Sequence, residues 1–583
     1  MRNILIFIGL LCFQTAFGQV SQNGKLRAAY KSGTGLVLSY KDGSKWIDIM
    51  SMKTDYSVMK KATKGTVSYE MKVGKRSHCT NRYVEAEYAK AGNETDVQRI
   101  RIYDDGFAIT SDAVASCCFA TSKNNWILQW SDSYEGFFPK NRELKTGSRY
   151  AFPALFEYEN SVFALLSESR MTSDMAATSM YPTSDKLTFE LRPDGTQGGD
   201  ITLIVGKLED IVGSTLIADN SEACKLADNE WVKPGVAAWV YWAYNHGSND
   251  YNIIKKYTDM AVELGLPYVL IDAEWDEMKD GYTIEDAVKY ATERNVSPII
   301  WYSSSIGWTN GAPGPKYRLN TPEDREREFA WCERIGVKGV KIDFFSGDTN
   351  ENIKFMIDLL ESAAKHHLLV NFHGATIPRG WQRTYPNLIS VEAVYGAEWY
   401  NNVPYFTDKA ASHNAMLPFT RNVIGSMDYT PCAFTDSQHP HITTHAHELA
   451  LTALFESGIQ HLADRPESFL AQPQQVRKYL GTLPTAWDET RLLSGYPGES
   501  VVIARRKGNA WYVAGINGTD ANKALDISKI ASLNIKNGTM TLFEDGPSKD
   551  NPWTITERSI TSKNIPTSIK CQPRGGFVMV LTR

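Results

Sequence analysis

Between residues 19 and 228, apolar and polar positions alternate in short runs separated by turn residues, as in Gly35-Leu-Val-Leu-Ser-Tyr, Thr66-Val-Ser-Tyr-Glu and Asp200-Ile-Thr-Leu-Ile-Val. A period of two puts one side of each segment in a core and the other in water, so this part predicts a large antiparallel β-sandwich. From about residue 233 to 487 the period changes. Apolar runs at 237–242, 268–273, 298–302, 339–344, 368–372 and 388–392 alternate with amphipathic stretches at 252–264, 284–294, 321–335 and 351–366, and another helical stretch follows at 444–457. Apolar strands separated by helices imply a parallel sheet covered on both faces, and six such units over about 250 residues predict a (β/α)8 TIM barrel. Strand-like runs return at 501–505, 510–516 and 576–581, enough for a small antiparallel β-sandwich. The expected organisation is a leader at 1–18, a β-domain at 19–230, a barrel at 231–490 and a second β-domain at 491–583.

The 583-residue length agrees with several domains, at about 150 residues each. A composition of 42% hydrophobic and 22% charged residues excludes a mainly disordered chain. The net charge of −5, without long runs of one sign, gives no reason to expect a nucleic-acid or membrane-surface partner. Residues 1–18 carry Arg2, an apolar stretch and Ala16-Phe17-Gly18, the pattern of a secretory signal peptide, so export is expected. Neither that stretch nor any later one reaches the roughly 20 apolar residues of a membrane span. Seven cysteines lie beyond it without metal-ligand spacing: Cys79, Cys117, Cys118, Cys224, Cys332, Cys432 and Cys571. They are expected to be buried small hydrophobes with one or two bridges.

A TIM barrel works at the C-terminal ends of its strands, and three of those ends carry acids here. Asp272 and Glu274 follow the second strand, Asp343 ends Val340-Lys341-Ile342-Asp343, and Glu392 and Glu398 lie at and beyond the sixth. Converging carboxylates repel and lose hydration, a burden a fold carries most readily where acid/base, nucleophilic or metal chemistry uses them. Aromatic residues gather at the same ends, among them Trp239, Trp242, Trp275, Trp301, Trp308 and Trp399. Their faces suit sugar C–H surfaces, and two carboxylates across a glycosidic bond suit its hydrolysis. A zinc site is the competing reading, since His441 and His445 stand four apart beside His439 and His447; no His-Glu-x-x-His order accompanies them, and capping or hydrogen-bonding histidines account for the run. No phosphate loop or Gly-x-Ser-x-Gly elbow is present.

The blocks 336–345, 371–387, 392–398 and 417–430 together resemble glycoside hydrolase family 97 over nearly the whole chain beyond residue 18. The resemblance implies an N-terminal β-supersandwich, a central TIM barrel and a C-terminal β-sandwich. Inverting members carry a glutamate right after the histidine of the fifth-strand block; here Gly374 follows His373 and Asp343 ends the fourth strand, the retaining pattern. Asp343 is then implied as nucleophile and Glu398 as general acid/base, about 5–5.5 Å apart. The family also implies a Ca²⁺ cofactor, with Glu392, Glu398 and, from the N-terminal domain, Glu168 as ligands. Asp272, Glu274, Trp301, His373 and Arg379 are candidate substrate-binding residues, as is Asp428, although Arg379 and Arg383 also suit a structural role. The implied activity is a retaining exo-α-galactosidase acting on an oligosaccharide or glycoside, in the periplasm. A β-L-arabinopyranosidase is the alternative within the branch, and a non-catalytic glycan-binding protein the alternative outside it.

Overall fold

The computed structural model describes residues 18–110, 115–183, 187–240, 246–400, 403–436 and 440–583. Residues 1–17, Trp242 and His439 lie outside the described residues. The N-terminal part is a 15-stranded sheet of antiparallel pairs. Its inner strands are buried on both sides; every residue of Tyr150–Glu157, Phe163–Ser169 and Asp200–Gly206 is buried. Strand Asn124–Gln129 pairs with Tyr150–Glu157, and the intervening segment leaves the sheet for the barrel. There Trp130 Nε1 (2.6 Å) and Tyr134 OH (2.9 Å) donate to Oδ2 of Asp348, a fully buried carboxylate beyond the fourth barrel strand.

The central sheet has seven parallel strands: Gly235–Trp239, Tyr268–Ile271, Ser297–Ser303, Gly339–Asp343, Leu369–Phe372, Leu388–Val391 and Ile459–Leu462. They include the six expected strands, within a few residues at each end, and one more. The last pairs with the first, Gly235 opposite Ile459. Beyond the sixth strand a parallel bridge joins Val391 to Met427, and Asp428 N donates to Val391 O (3.0 Å). A single bridge therefore follows the sixth strand, which is why the alternation of long apolar runs fades after residue 392.

Local sequence explains the helices. Asp250, Thr283, Thr321 and Thr349 accept hydrogen bonds from first-turn backbone N–H groups of Tyr251–Leu264, Ile284–Thr292, Pro322–Ile335 and Asn350–Lys365, each such cap contributing about 1 kcal/mol. Gly265 and Gly336 end the first and third of them in the left-handed conformation, at φ 76° and 101°.

Six antiparallel strands from Glu489 to Thr582 and the two-stranded sheet Lys523–Asp526 with Ser568–Cys571 form the C-terminal part, around an apolar cluster of its own. Buried Arg505 donates to Ala453 O and Leu454 O (both 2.8 Å), satisfying the final carbonyls of barrel helix His445–Leu454. The expected disulfides are corrected: all seven described cysteines are free thiols, five of them buried. No helix among the described residues is long and apolar enough to cross a membrane.

Candidate active site

A cleft of about 340 Å³ opens at the C-terminal ends of the barrel strands, near the lower limit for small-molecule sites. Its wall includes Trp239, Asp272, Trp301, Lys341, Asp343, Gly374, Glu392, Glu398 and Trp399 from the barrel, and Asp132, Ser133 and Glu135 from the N-terminal domain.

The fourth strand alternates Val340 and Ile342, buried in the packing, with Lys341 and Asp343, which reach the cleft. Trp301 Nε1 donates to Asp343 Oδ2 (3.1 Å), and Phe344 N donates to Oδ1 (2.8 Å). Burial raises the Asp343 pKa above the usual aspartate value, while the Lys341 ammonium, the His373 ring and the Trp301 hydrogen bond favour the ionised form. Lys341 Nζ lies 2.9 Å from Asp272 Oδ2 and 4.0 Å from Asp343 Oδ2. Burial disfavours its charge, yet Asp272, Asp343 and Glu398 together raise its pKa above the ordinary lysine value. Trp239 Nε1 also donates to Asp272 (2.8 Å), fixing that carboxylate on the wall.

Gly374 has φ +48°, and a Cβ placed there would lie 3.0 Å from Asp343 Oδ1 and 2.9 Å from Phe344 N. Any side chain at 374 would crowd the Asp343 carboxylate and the Phe344 backbone, and φ +48° favours glycine there, so an acid at 374 would require Asp343 to shift.

Glu392 Oε2 accepts from Gly374 N (2.7 Å), and Glu392 Oε1 lies 3.3 Å from His373 Nδ1. His373 Nε2 contacts Asp428 Oδ2 (2.7 Å), which His461 Nδ1 also contacts (2.7 Å). Burial alone would keep His373 neutral, but Glu392 and Asp428 raise its pKa well above the ordinary histidine value. Glu398 follows in a short 3₁₀ turn, Ala397–Tyr400. Burial and then the charge of Glu392, to which it is hydrogen-bonded, push its pKa well above the usual carboxylate range. A carboxyl group whose pKa is raised in this way suits the part of a general acid.

Donor atoms of His373, Glu392 and Glu398 lie within 4.8 Å of one another, as do those of His373, Asp428 and His461. The first group opens on the cleft, and its carboxylate oxygens suit a hard cation. The second shares His373 and is fully buried; Asp428 Oδ2 joins both histidines, while Asp428 Oδ1 and His461 Nε2 have no hydrogen-bond partner among the described residues.

Glu168 and Arg379 are placed elsewhere. Both are fully buried, with Arg379 Nε donating to Glu168 Oε2 and the backbone N–H groups of Thr178 and Gly199 completing the carboxylate's shell. Arg379 also donates to Thr376 Oγ1 and Tyr134 OH, so the two residues clasp the N-terminal domain to the barrel and neither lines the cleft. Glu274 does not line the cleft either; its Oε2 lies 2.9 Å from His246 Nδ1. Of the candidate substrate-binding residues, Asp272 and Trp301 line the cleft, while His373 and Asp428 stand behind Glu392. Two N-terminal acids reach the cleft instead, Asp132 and Glu135, and Glu135 is the one tied to the catalytic wall. It accepts from Trp399 Nε1, and burial followed by the charge of Glu398 pushes its pKa up to about 7. Sequence reasoning passed over it; the one signal was an acid within Tyr134-Glu135-Gly136-Phe137-Phe138, an apolar loop between two strands.

The histidine run is not a zinc centre among the described residues. Helix His445–Leu454 begins only at His445, so His441 and His445 do not share a helical face. His441 pairs with Asp436 (2.9 Å), His445 stacks on Phe434, and His447 Nε2 lies 3.1 Å from Asn414 Nδ2.

Sequence models described as Glycosyl-hydrolase 97 N-terminal, Glycoside hydrolase 97, and Glycosyl-hydrolase 97 C-terminal, oligomerisation, match residues 20–219, 231–394 and 486–582. A probable retaining alpha-galactosidase of Streptomyces bingchenggensis is 33% identical over 549 residues, 88% of this chain and 81% of that protein. A retaining alpha-galactosidase of Bacteroides thetaiotaomicron is 31% identical over 55% of this chain and half of its own length. Among solved structures, a beta-arabinopyranosidase superposes with a TM-score of 0.85 at 25% identity, covering 97% of this chain and 99% of that one. A family 97 enzyme of Pseudoalteromonas in complex with acarbose superposes at 0.81 and 21% identity over the same shares, a likeness of fold. The chain belongs to glycoside hydrolase family 97.

Proposed function

We propose that the protein is a retaining exo-acting α-galactosidase. The carrying observation is the packing of Asp343 against Gly374, with Glu398, whose pKa burial raises, on the same cleft wall. The terminal sugar occupies the closed end beside Trp239, Asp272 and Lys341, whose fixed charges bind hydroxyl groups. An Asp343 carboxylate oxygen attacks the anomeric carbon while Glu398 gives its proton to the departing oxygen. The bond from that carbon to the leaving oxygen breaks, and an ester to Asp343 forms. Glu398, now ionised, takes a proton from water, whose oxygen displaces Asp343 and releases the sugar with its original configuration.

Glu392 and Glu398, beside His373, form the group that would hold Ca²⁺, while Glu168 is paired with Arg379. The fit rests on hard carboxylate oxygens gathered at the cleft; a cation there would lower the Glu398 pKa, and burial, the largest cause of its rise, is what would keep the acid's proton in place. Bound there, Ca²⁺ would supply positive potential for substrate hydroxyls and for the developing negative charge. Residues 1–18 support export, and the periplasm is the proposed compartment.

The test is hydrolysis of p-nitrophenyl α-D-galactopyranoside followed by NMR. The α-anomer of galactose should be released first; first release of the β-anomer refutes the retaining assignment. The likeness to a beta-arabinopyranosidase favours a second reading, cleavage of β-L-arabinopyranosides, which differ chiefly in lacking the C5 hydroxymethyl group. A higher kcat/KM on p-nitrophenyl β-L-arabinopyranoside would select it.

A further inference from the structure

The cleft is graded from a closed end to an open one. Trp239, Asp272 and Lys341 are almost wholly buried, whereas Trp308, which lines the same cavity, is 52% exposed. Single exposed apolar side chains are common and mean little. Trp308 differs in being held in place at the mouth of a reaction centre. Its loop, residues 304–318, is bound to the backbone next to Asp343: Ser304 N donates to Asp343 O (2.8 Å), Ser304 Oγ to Phe344 O (2.7 Å) and Gly307 N to Phe344 O (3.0 Å). Gly307 approaches so closely that a Cβ there would lie 2.4 Å from Phe344 O. Farther along, Lys316 Nζ donates to Ala312 O (3.0 Å), and Gly314 O accepts from Glu274 N (2.8 Å).

The ring itself is positioned by an aromatic ladder. Trp308 meets Phe344 edge to face at 4.9 Å, Phe344 meets Trp301 the same way at 5.6 Å, and Trp301 donates to Asp343. Contact with Phe344 occupies at most one face of the indole, and half the ring's surface stays open beside the reacting groups. The same cleft wall carries Asp132 and Ser133, polar groups suited to hydroxyls.

We propose that Trp308 is the platform of a leaving-group subsite, where it stacks on the apolar C–H face of the hexopyranose joined to the scissile oxygen. The proposal deepens the galactosidase reading and rests on it. Exo-cleavage seats the terminal sugar at the closed end, so the leaving sugar passes the rim at Trp308.

The experiment compares kcat/KM for a panel of α-galactosyl disaccharides with kcat/KM for α-galactosyl fluoride, whose leaving group has no ring. Wild type, Trp308→Ala and Trp308→Phe are measured. The disaccharide-to-fluoride ratio should fall about tenfold in Trp308→Ala and be largely retained in Trp308→Phe. An unmoved ratio in Trp308→Ala, an equal fall in both variants, or wild type that splits the fluoride but no disaccharide overturns the subsite. Should Trp308→Ala fail to fold, Trp308→Gln and Trp308→Phe carry the same comparison. Wild type that splits neither galactosyl substrate refutes the galactosidase reading itself, and the subsite with it.

Discussion

Replacing Arg379 with methionine separates a structural clasp from a metal-binding role for Glu168. Both side chains are fully buried, and Glu168 accepts from Arg379 Nε and from the backbone N–H groups of Thr178 (3.0 Å) and Gly199 (3.1 Å). Burial raises the Glu168 pKa, and the Arg379 charge is the chief influence opposing it. Arg379→Met leaves Glu168 without its cation and removes the donor to Tyr134 OH and Thr376 Oγ1. Breaking a buried ion pair on one side costs about 3–5 kcal/mol. For a transition of domain size this lowers Tm by roughly 6–20 °C. Scanning calorimetry of wild type, Arg379→Met, Glu168→Gln and the double variant reads the effect, and the double variant should be more stable than Arg379→Met because it leaves no buried charge unpaired. Calcium titration of Glu168→Gln by calorimetry should give the wild-type affinity. A Tm loss below about 2 °C in Arg379→Met, or weakened calcium binding in Glu168→Gln, refutes the clasp.

Trp301→Phe keeps the ring and removes the donor to Asp343 Oδ2; a hydrogen bond to a charged group is worth about 1.5–3 kcal/mol, so kcat/KM should fall roughly 10–100-fold, and unchanged kinetics would contradict the assigned geometry. Chelation should abolish activity and lower Tm, with added Ca²⁺ restoring both and Glu392→Gln losing the response; chelator-insensitive wild type would refute the cation. Lys75 is buried, donates to Val212 O (3.2 Å) and Val423 O (3.1 Å), and has its pKa lowered by burial to about 7. The unfolded chain therefore holds this proton more tightly than the folded one, and the lysine's contribution to stability should rise from pH 7 toward its unfolded value of about 10.4. Compared with Lys75→Met over pH 6–9, wild type should gain Tm as pH rises, and parallel curves would refute the burial effect.

The reacting acids were legible in sequence because strand ends mark a barrel's working face. Asp343 and Glu392 end or follow apolar strands, and Glu398 stands one short turn beyond. Gly374 was legible as a missing acid, but its steric relation to Asp343 required the fold. Glu135 and Glu168 were harder because both belong to the N-terminal domain, and strand periodicity does not say which loop crosses to another domain. Glu168 lies in a strand whose every residue is buried, where an acid needs an internal cation, and that cation is 211 positions away in Arg379. Barrel closure after the sixth strand was illegible for a related reason: a single bridge at Met427 leaves no apolar run to detect.

Azide rescue of Asp343→Ala tests the central claim most directly. With p-nitrophenyl α-D-galactopyranoside the variant should be nearly inactive, and added azide, entering the space of the lost carboxylate, should restore turnover and yield β-galactosyl azide. Substantial activity without azide, or α-galactosyl azide as the product, would contradict Asp343 as the nucleophile.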